Sequence, residues 1–205
     1  MTGRQLVILG AGGHAEVVAD AARSGDDPWH VEAFVPEAGE AALQERLAAA
    51  PIGQRPALVI GFGASADARA AAVARFEDAA WATVVHRAAW VSPSAELGPG
   101  TVVLAGAVVN AGARVGRHAI VNTAAVVEHG AHVGDFVHVG PGAILGGDVV
   151  VGEDARIGLG AAVRDHVSIG AGATVGMGAV VVGDVAAQAV VVGNPARARE
   201  RTHDA

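Results

Sequence analysis

Val115-Gly-Arg-His-Ala-Ile-Val121-Asn-Thr-Ala-Ala-Val-Val127-Glu-His-Gly-Ala-His-Val133-Gly-Asp-Phe-Val-His-Val139 carries an aliphatic residue at every sixth position. The phase extends both ways. Val91, Leu97, Val103 and Val109 precede it, and Leu145, Val151, Ile157, Val163, Ile169, Val175 and Val181 follow, making sixteen slots without a break. Two residues before each slot stands Ala, Thr or Val. One residue after it, glycine is the commonest choice, as at Gly98, Gly116, Gly134, Gly140, Gly152, Gly158, Gly170 and Gly176.

A period of six matches neither a helix nor the alternation of an ordinary strand. It marks a solenoid, whose units bury their apolar faces only by stacking on one another. The six-residue form implies a left-handed parallel β-helix with three repeats per triangular coil. Residues eighteen apart then stack, about 4.8 Å apart as neighbouring strands are. The aliphatic slot points inward, the small slot fits the tight interior, and the glycine after the slot is expected to take the turn at each corner.

Residues 1–85 read differently. Gln5–Leu9, His30–Val35 and Ala57–Ile60 are expected strands, with Thr83–Val85 a short fourth. Helical stretches over Ala15–Ala22 and Glu40–Ala50 alternate with them, and Ser65 caps a third running to Phe76. This is a small Rossmann-like parallel α/β sheet. The division is thus 1–85 for an α/β domain and 86–205 for the β-helix with its C-terminal cap. The tail leaves the repeat phase near Ala186 and ends in Val192-Gly-Asn-Pro195-Ala-Arg, which reads as a cap over the open end.

Composition narrows the function. The 205 residues are 52% hydrophobic, enough for a real core, and the net charge of -7 argues against nucleic acid or an anionic membrane as partner. Cysteine is absent, which removes disulfides, thiolate metal sites and a cysteine nucleophile. The apolar run Leu6–Leu9 is too short for a signal or a span, so a cytoplasmic location is expected.

Two clusters carry chemistry. Gly10-Ala-Gly-Gly-His14 sits between a strand and a helix, where Gly10, Gly12 and Gly13 let backbone N–H groups approach a phosphate. A plain tight turn is the competing reading. His129, His132 and His138 form the second cluster. Gly147, with Gly146 before it, lies eighteen residues after His129, so a neutral imidazole should sit one coil below a bare N–H: a base beside an oxyanion donor. His132 and His138 fall on different faces, so no metal site within one subunit is expected. A zinc β-helix resembling the γ-carbonic anhydrases, with a metal shared between subunits, is the alternative from another class.

With these motifs in order, the chain closely resembles the bacterial PglD/NeuD-type nucleotide-sugar acetyltransferases of the hexapeptide-repeat acyltransferase superfamily. The opening glycine turn, Val91-Ser-Pro-Ser-Ala95, Asn122-Thr-Ala-Ala-Val-Val-Glu-His129 and the closing Gly-Asn-Pro-Ala-Arg carry the resemblance. It implies a homotrimer with acetyl-CoA between neighbouring β-helices and transfer of acetyl to the 4-amino group of a nucleotide-linked deoxysugar. Sugar O-acetylation is the alternative within the family. The resemblance makes His129 the base, Gly147 the amide facing the acetyl carbonyl and His138 a second active-site histidine on the coenzyme side. Asn122 becomes a sugar contact. His14, Glu37 and Gly61 fall in the nucleotide domain's substrate site. Gly146, Gly158, Gly160, Ala161, Gly176 and Pro195 fall along the coenzyme groove. Two departures stand out. Gly130 replaces the acidic residue often found after the catalytic histidine, leaving Glu128, another carboxylate or water to orient the ring. Pro36-Glu37 replaces the acidic pair of uridine-binding members and leaves GDP or dTDP carriers open.

Overall fold

The computed structural model describes residues 4–63 and 65–199. In the first part, β1 (Gln5–Leu9), β2 (His30–Val35) and β3 (Ala57–Ile60) form a parallel sheet in the order β2-β1-β3. Leu6 to Leu9 are fully buried, as a central parallel strand covered on both faces requires. Helices α1 (Gly13–Arg23), α2 (Glu40–Ala49) and α3 (Ala66–Ala74) connect and flank these strands. Ser65 caps α3 by accepting the Ala68 N–H at 3.3 Å.

The expected fourth strand is laid elsewhere. Val84–Val85 does not join this sheet; it pairs in parallel with Val102–Val103 and forms the first rung of the solenoid. The reason is phase, because Val85 stands six residues before Val91 and belongs to the same repeat. Helix α1 cements the two parts. Its small residues Ala15, Ala19 and Ala22, with Val18, lie in one buried cluster with Leu6 and Ile8 of β1 and with Val84, Val102 and Leu104 of the solenoid. Alanines there let the helix approach both surfaces closely.

Each of the sixteen slots is the second residue of a two-residue strand, from Trp90–Val91 to Val180–Val181. The strands stack in the eighteen-residue register, Ile120 beside His138 and His138 beside Arg156, on three faces. On the first face Val102 packs into the α/β domain's buried cluster, and Ile120 is buried. The second displays the column Trp90, Val108, Val126, Ile144, Ala162 and Val180. The third displays Glu96, Arg114, His132, Val150 and Ser168. Slot residues interlock inside with Ala107, Ala113, Ala119, Ala125 and their equivalents, all buried from Val103 upward, with Ala89, Val91, Ala95 and Leu97 partly buried below.

The corners correct one expectation. The residue with positive φ is the third after the slot, not the first. It is glycine at Gly106 and Gly142 but His118, Ala124, Phe136, Asp148, Asp154 and His166 elsewhere, with φ of 53 to 61°. The glycine directly after the slot answers a different demand. A Cβ at Gly134 would fall 2.7 Å from the Glu153 nitrogen, and one at Gly158 only 2.6 Å from that of Met177. Close approach of the next coil, rather than a left-handed turn, excludes a side chain there. At the top, Val190–Val192 continues the first face and Arg197–Ala198 folds back antiparallel to it. The Ala196 N–H reaches the Val180 carbonyl at 2.7 Å, so the tail closes the last coil.

Candidate active site

The glycine turn is built by the end of β1. Gly10 has φ of +116° and donates its N–H to the Val35 carbonyl at 2.7 Å, which ties the turn to β2. Its amide is therefore committed. Gly12 caps α1 through its carbonyl, which accepts from Ala15 and Glu16, and open space lies where Gly12 and Gly13 lack a Cβ. The first amides of α1 thus remain as anion donors. Gly61 serves packing: a Cβ there would fall 2.4 Å from Ile8 Cγ2 and 2.9 Å from Ala15 Cβ. Beside the turn lies a cavity of about 370 Å³ that Gly10, Glu37, Glu40, Phe62 and Arg75 line. It brings Gly10 and Glu37 together. The buried Glu40 carboxylate on its wall holds Arg75 in a two-pronged ion pair. That pair is not visible in the sequence, where the two residues are 35 apart.

The His129 corner forms as the stacking arithmetic requires. A Cβ at Gly147 would lie 2.6 Å from His129 Cε1 and 2.8 Å from Nε2, so the imidazole occupies the space that glycine leaves. Among the described residues the Gly147 N–H makes no hydrogen bond, whereas Gly146 donates to Val163 and Asp148 to the His129 carbonyl. The corner position itself explains this, because proline stands there at 93, 99 and 141, where no ladder bond is lost. Glu128 accepts the backbone N–H of His129 at 3.1 Å; its carboxylate steadies the main chain, not the ring. Sequence reasoning missed Asp148. A Cβ at Gly130 would fall 2.1 Å from its Oδ1, so the next coil puts a carboxylate where a side chain at 130 would start.

Asn122 and His138 meet at another corner. Asn122 Nδ2 lies 3.0 Å from His138 Nε2, and its Oδ1 accepts the Thr123 N–H at 2.8 Å. Burial pushes the His138 imidazole down to about 4, and the Arg69 and Arg156 cations push the same way. Burial lowers His14 too, with Arg69 adding. Within one chain His129 and His138 are apart, His129 between the second and third faces and His138 on the first. His132 lies on the third face, and among the described residues no three His, Cys, Asp or Glu side chains are placed to hold a metal.

Gly158, Gly160 and Gly176 line the corner between the first and second faces, above Asn122. Ala161 points inward; its N–H donates to Gly158 and its carbonyl accepts from Ile144. Gly176 abuts the tail, where a Cβ would meet Val192 Cγ1 at 2.7 Å, and Pro195 turns the cap. The second face, flanked by these glycines and by His129 with Gly147, keeps Trp90 58% and Ile144 47% exposed.

The solved structures that this hexapeptide β-helix resembles are acetyltransferases of the hexapeptide-repeat class. The acetyltransferase domain of PglB from Neisseria gonorrhoeae is 35% identical over 96% of this chain and 100% of that one, with a TM-score of 0.86. The same domain in complex with acetyl coenzyme A is 33% identical over 96% and 100%, with a TM-score of 0.82. PerB from Caulobacter crescentus, in complex with CoA and GDP-perosamine, is 35% identical over 95% and 96%, with a TM-score of 0.86. No family model matches the sequence, and no curated protein matches it. The chain belongs to the hexapeptide-repeat nucleotide-sugar acetyltransferases.

Proposed function

We propose that this chain transfers acetyl from acetyl-CoA to the 4-amino group of a nucleotide-linked 4-amino-deoxysugar, with His129 as general base. The observation that carries this is the His129 imidazole lying in the space left by Gly147, beside an unbonded amide. The amine attacks the thioester carbonyl. A C–N bond forms, His129 takes the amine proton, and the Gly147 N–H meets the oxyanion. Collapse breaks the C–S bond; the coenzyme A thiolate leaves and takes up the proton that His129 removed, with no covalent enzyme intermediate.

The nucleotide end fits the same scheme. The amides of Gly12, Gly13 and His14 receive the diphosphate, and the cavity beside Gly10 takes the nucleoside. Glu37 on its wall suits a base with two adjacent N–H donors, as guanine has, and PerB is solved with GDP-perosamine. A GDP-linked sugar is therefore the first substrate to try. Asn122 contacts the sugar.

A single chain leaves His129 and His138 at separate corners and the apolar second face uncovered. A homotrimer packed along that face covers it and closes a groove over Gly146, Gly158, Gly160 and Gly176 for the pantetheine arm. The cytoplasm, where acetyl-CoA and nucleotide sugars are both present, is the location this reaction requires. The test is thiol release from acetyl-CoA with a panel of GDP-, UDP- and dTDP-linked 4-amino sugars. Turnover with one of them is expected, and none with the matching 4-hydroxy sugars. Acetylation of a 4-hydroxy sugar in preference would overturn the assignment.

A further inference from the structure

Arg69 is the one cation in an otherwise small-residue helix, Ala66-Asp-Ala-Arg-Ala-Ala-Ala-Val-Ala74. Its side chain crosses from α3 to the solenoid and is only 2% exposed. Nη2 donates to the Phe136 carbonyl, two residues before His138. Nε and Nη1 are buried and, among the described residues, have no hydrogen-bond partner. Among the described residues no carboxylate lies within ion-pair distance, although Asp154 and Arg156 of the next coil both act on it. A buried guanidinium left this way is costly, so the fold retains it against its own stability.

Through Phe136 it is tied to the His138 strand, and its charge acts on the His138 imidazole, as do those of Arg156 of the next coil and His14 of α1; Gly63 stands beside the ring, where a Cβ would be 3.5 Å from Cε1. Hydrogen-bond logic fixes its form. The Thr123 N–H can only donate, so the Asn122 atom it meets is Oδ1, and Nδ2 must face the ring. Nδ2 donates, so His138 Nε2 is an unprotonated acceptor and the ring proton sits on Nδ1. The Nε2 lone pair is thereby used, and Nδ1 has none to offer.

We infer that Arg69 is a positioning residue that ties the His138 strand to the nucleotide domain and locks His138 as a neutral, Nδ1-protonated hydrogen-bonding group. His138 is then unable to act as the base. Protonating it would turn an N–H against the Asn122 amide donor and add a second cation beside Arg69. The depressed titration of His138 agrees with this arrangement. Only the catalytic consequence rests on the acetyl-transfer reading; the locking itself concerns the free protein.

The test is NMR titration of the histidine rings in the substrate-free protein, where failure of the substrate assignment has no effect. In the wild type, His138 should stay neutral, with the Nδ1-protonated signature, down to about pH 5. Arg69→Met should move its titration up by about one pH unit or more, and Arg69→Lys, which keeps the charge, should move it less. A merely structural staple would leave the His138 titration unmoved. If Arg69→Met fails to fold, Asn122→Asp tests the lock from the other side. A carboxylate there accepts a proton bond from Nε2 and should raise the titration by a similar amount. His138 titrating like a free histidine in the wild type, an Nε2-protonated signature, or an unmoved titration in these variants would overturn the inference.

Discussion

The His129 ring and Gly147 share one space: a Cβ at 147 would stand 2.6 Å from Cε1 of the imidazole one coil below. The pairing follows from an eighteen-residue register, and the proposed mechanism makes the glycine a functional position. Gly147→Val should displace the ring and block the approach to the amide, lowering kcat by at least about 10²-fold while the thermal transition stays sharp. Activity assays beside circular dichroism check this. Full activity in the variant would remove Gly147 from the site.

Gly130 behaves differently. Adding an acid directly after His129 looks from sequence like a way to supply an orienting carboxylate. Asp148 already holds that place, with Oδ1 only 2.1 Å from where a Cβ would stand, and the backbone there has φ of +66°. Gly130→Asp should therefore lower both Tm and activity. Gly130→Asp combined with Asp148→Gly should recover part of each, by exchanging the side chain between coils. Thermal melts and initial rates of the single and double variants decide the point.

The two glycine positions of the coil should separate in stability measurements. Gly134→Ala forces a Cβ against the backbone of Glu153 and should cost about 1–3 kcal/mol, as overpacking does. Gly142→Ala meets nothing within 4 Å and bears only its positive φ, a cost of about 1 kcal/mol. Denaturant melts of the two variants give the order. The reverse order would contradict the close approach assigned to the first position after the slot.

Much of this was legible because the repeat is arithmetic. Sixteen aliphatic slots set the faces, and eighteen-residue stacking placed Gly147 over His129. The same sum places Asp148 over Gly130. Val84–Val85 was assigned to the wrong sheet because a two-residue strand carries no alternation and only its phase reveals it. Arg69 and the Glu40–Arg75 pair were beyond reach, since nothing local to α3 tells which cation turns inward. The glycines after the slots stand out in the sequence, but their cause does not, because spacing does not distinguish a turn from a close approach.

Acid should loosen the fold through its buried imidazoles. Burial holds both His118 and His138 down to about 4, with nearby arginines adding. In the unfolded chain each titrates near about 6.5. Between those values the unfolded state binds protons that the folded state refuses, so stability is complete above about pH 6.5 and falls toward about pH 4. Tm recorded across that window should decline with acid, and His138→Gln should decline less. Equal slopes would mean that His138 titrates alike in both states.

The most direct test of the central claim is the steady-state rate of His129→Ala with acetyl-CoA and the nucleotide amino sugar that the substrate panel identifies. General-base catalysis contributes about 10²–10⁴-fold, and kcat should fall by that factor with KM for both substrates nearly unchanged. His132→Ala, on another face, should retain most of its activity as a control. A His129→Ala protein that keeps more than about half of the wild-type kcat, well short of the loss of a general base, would contradict the account.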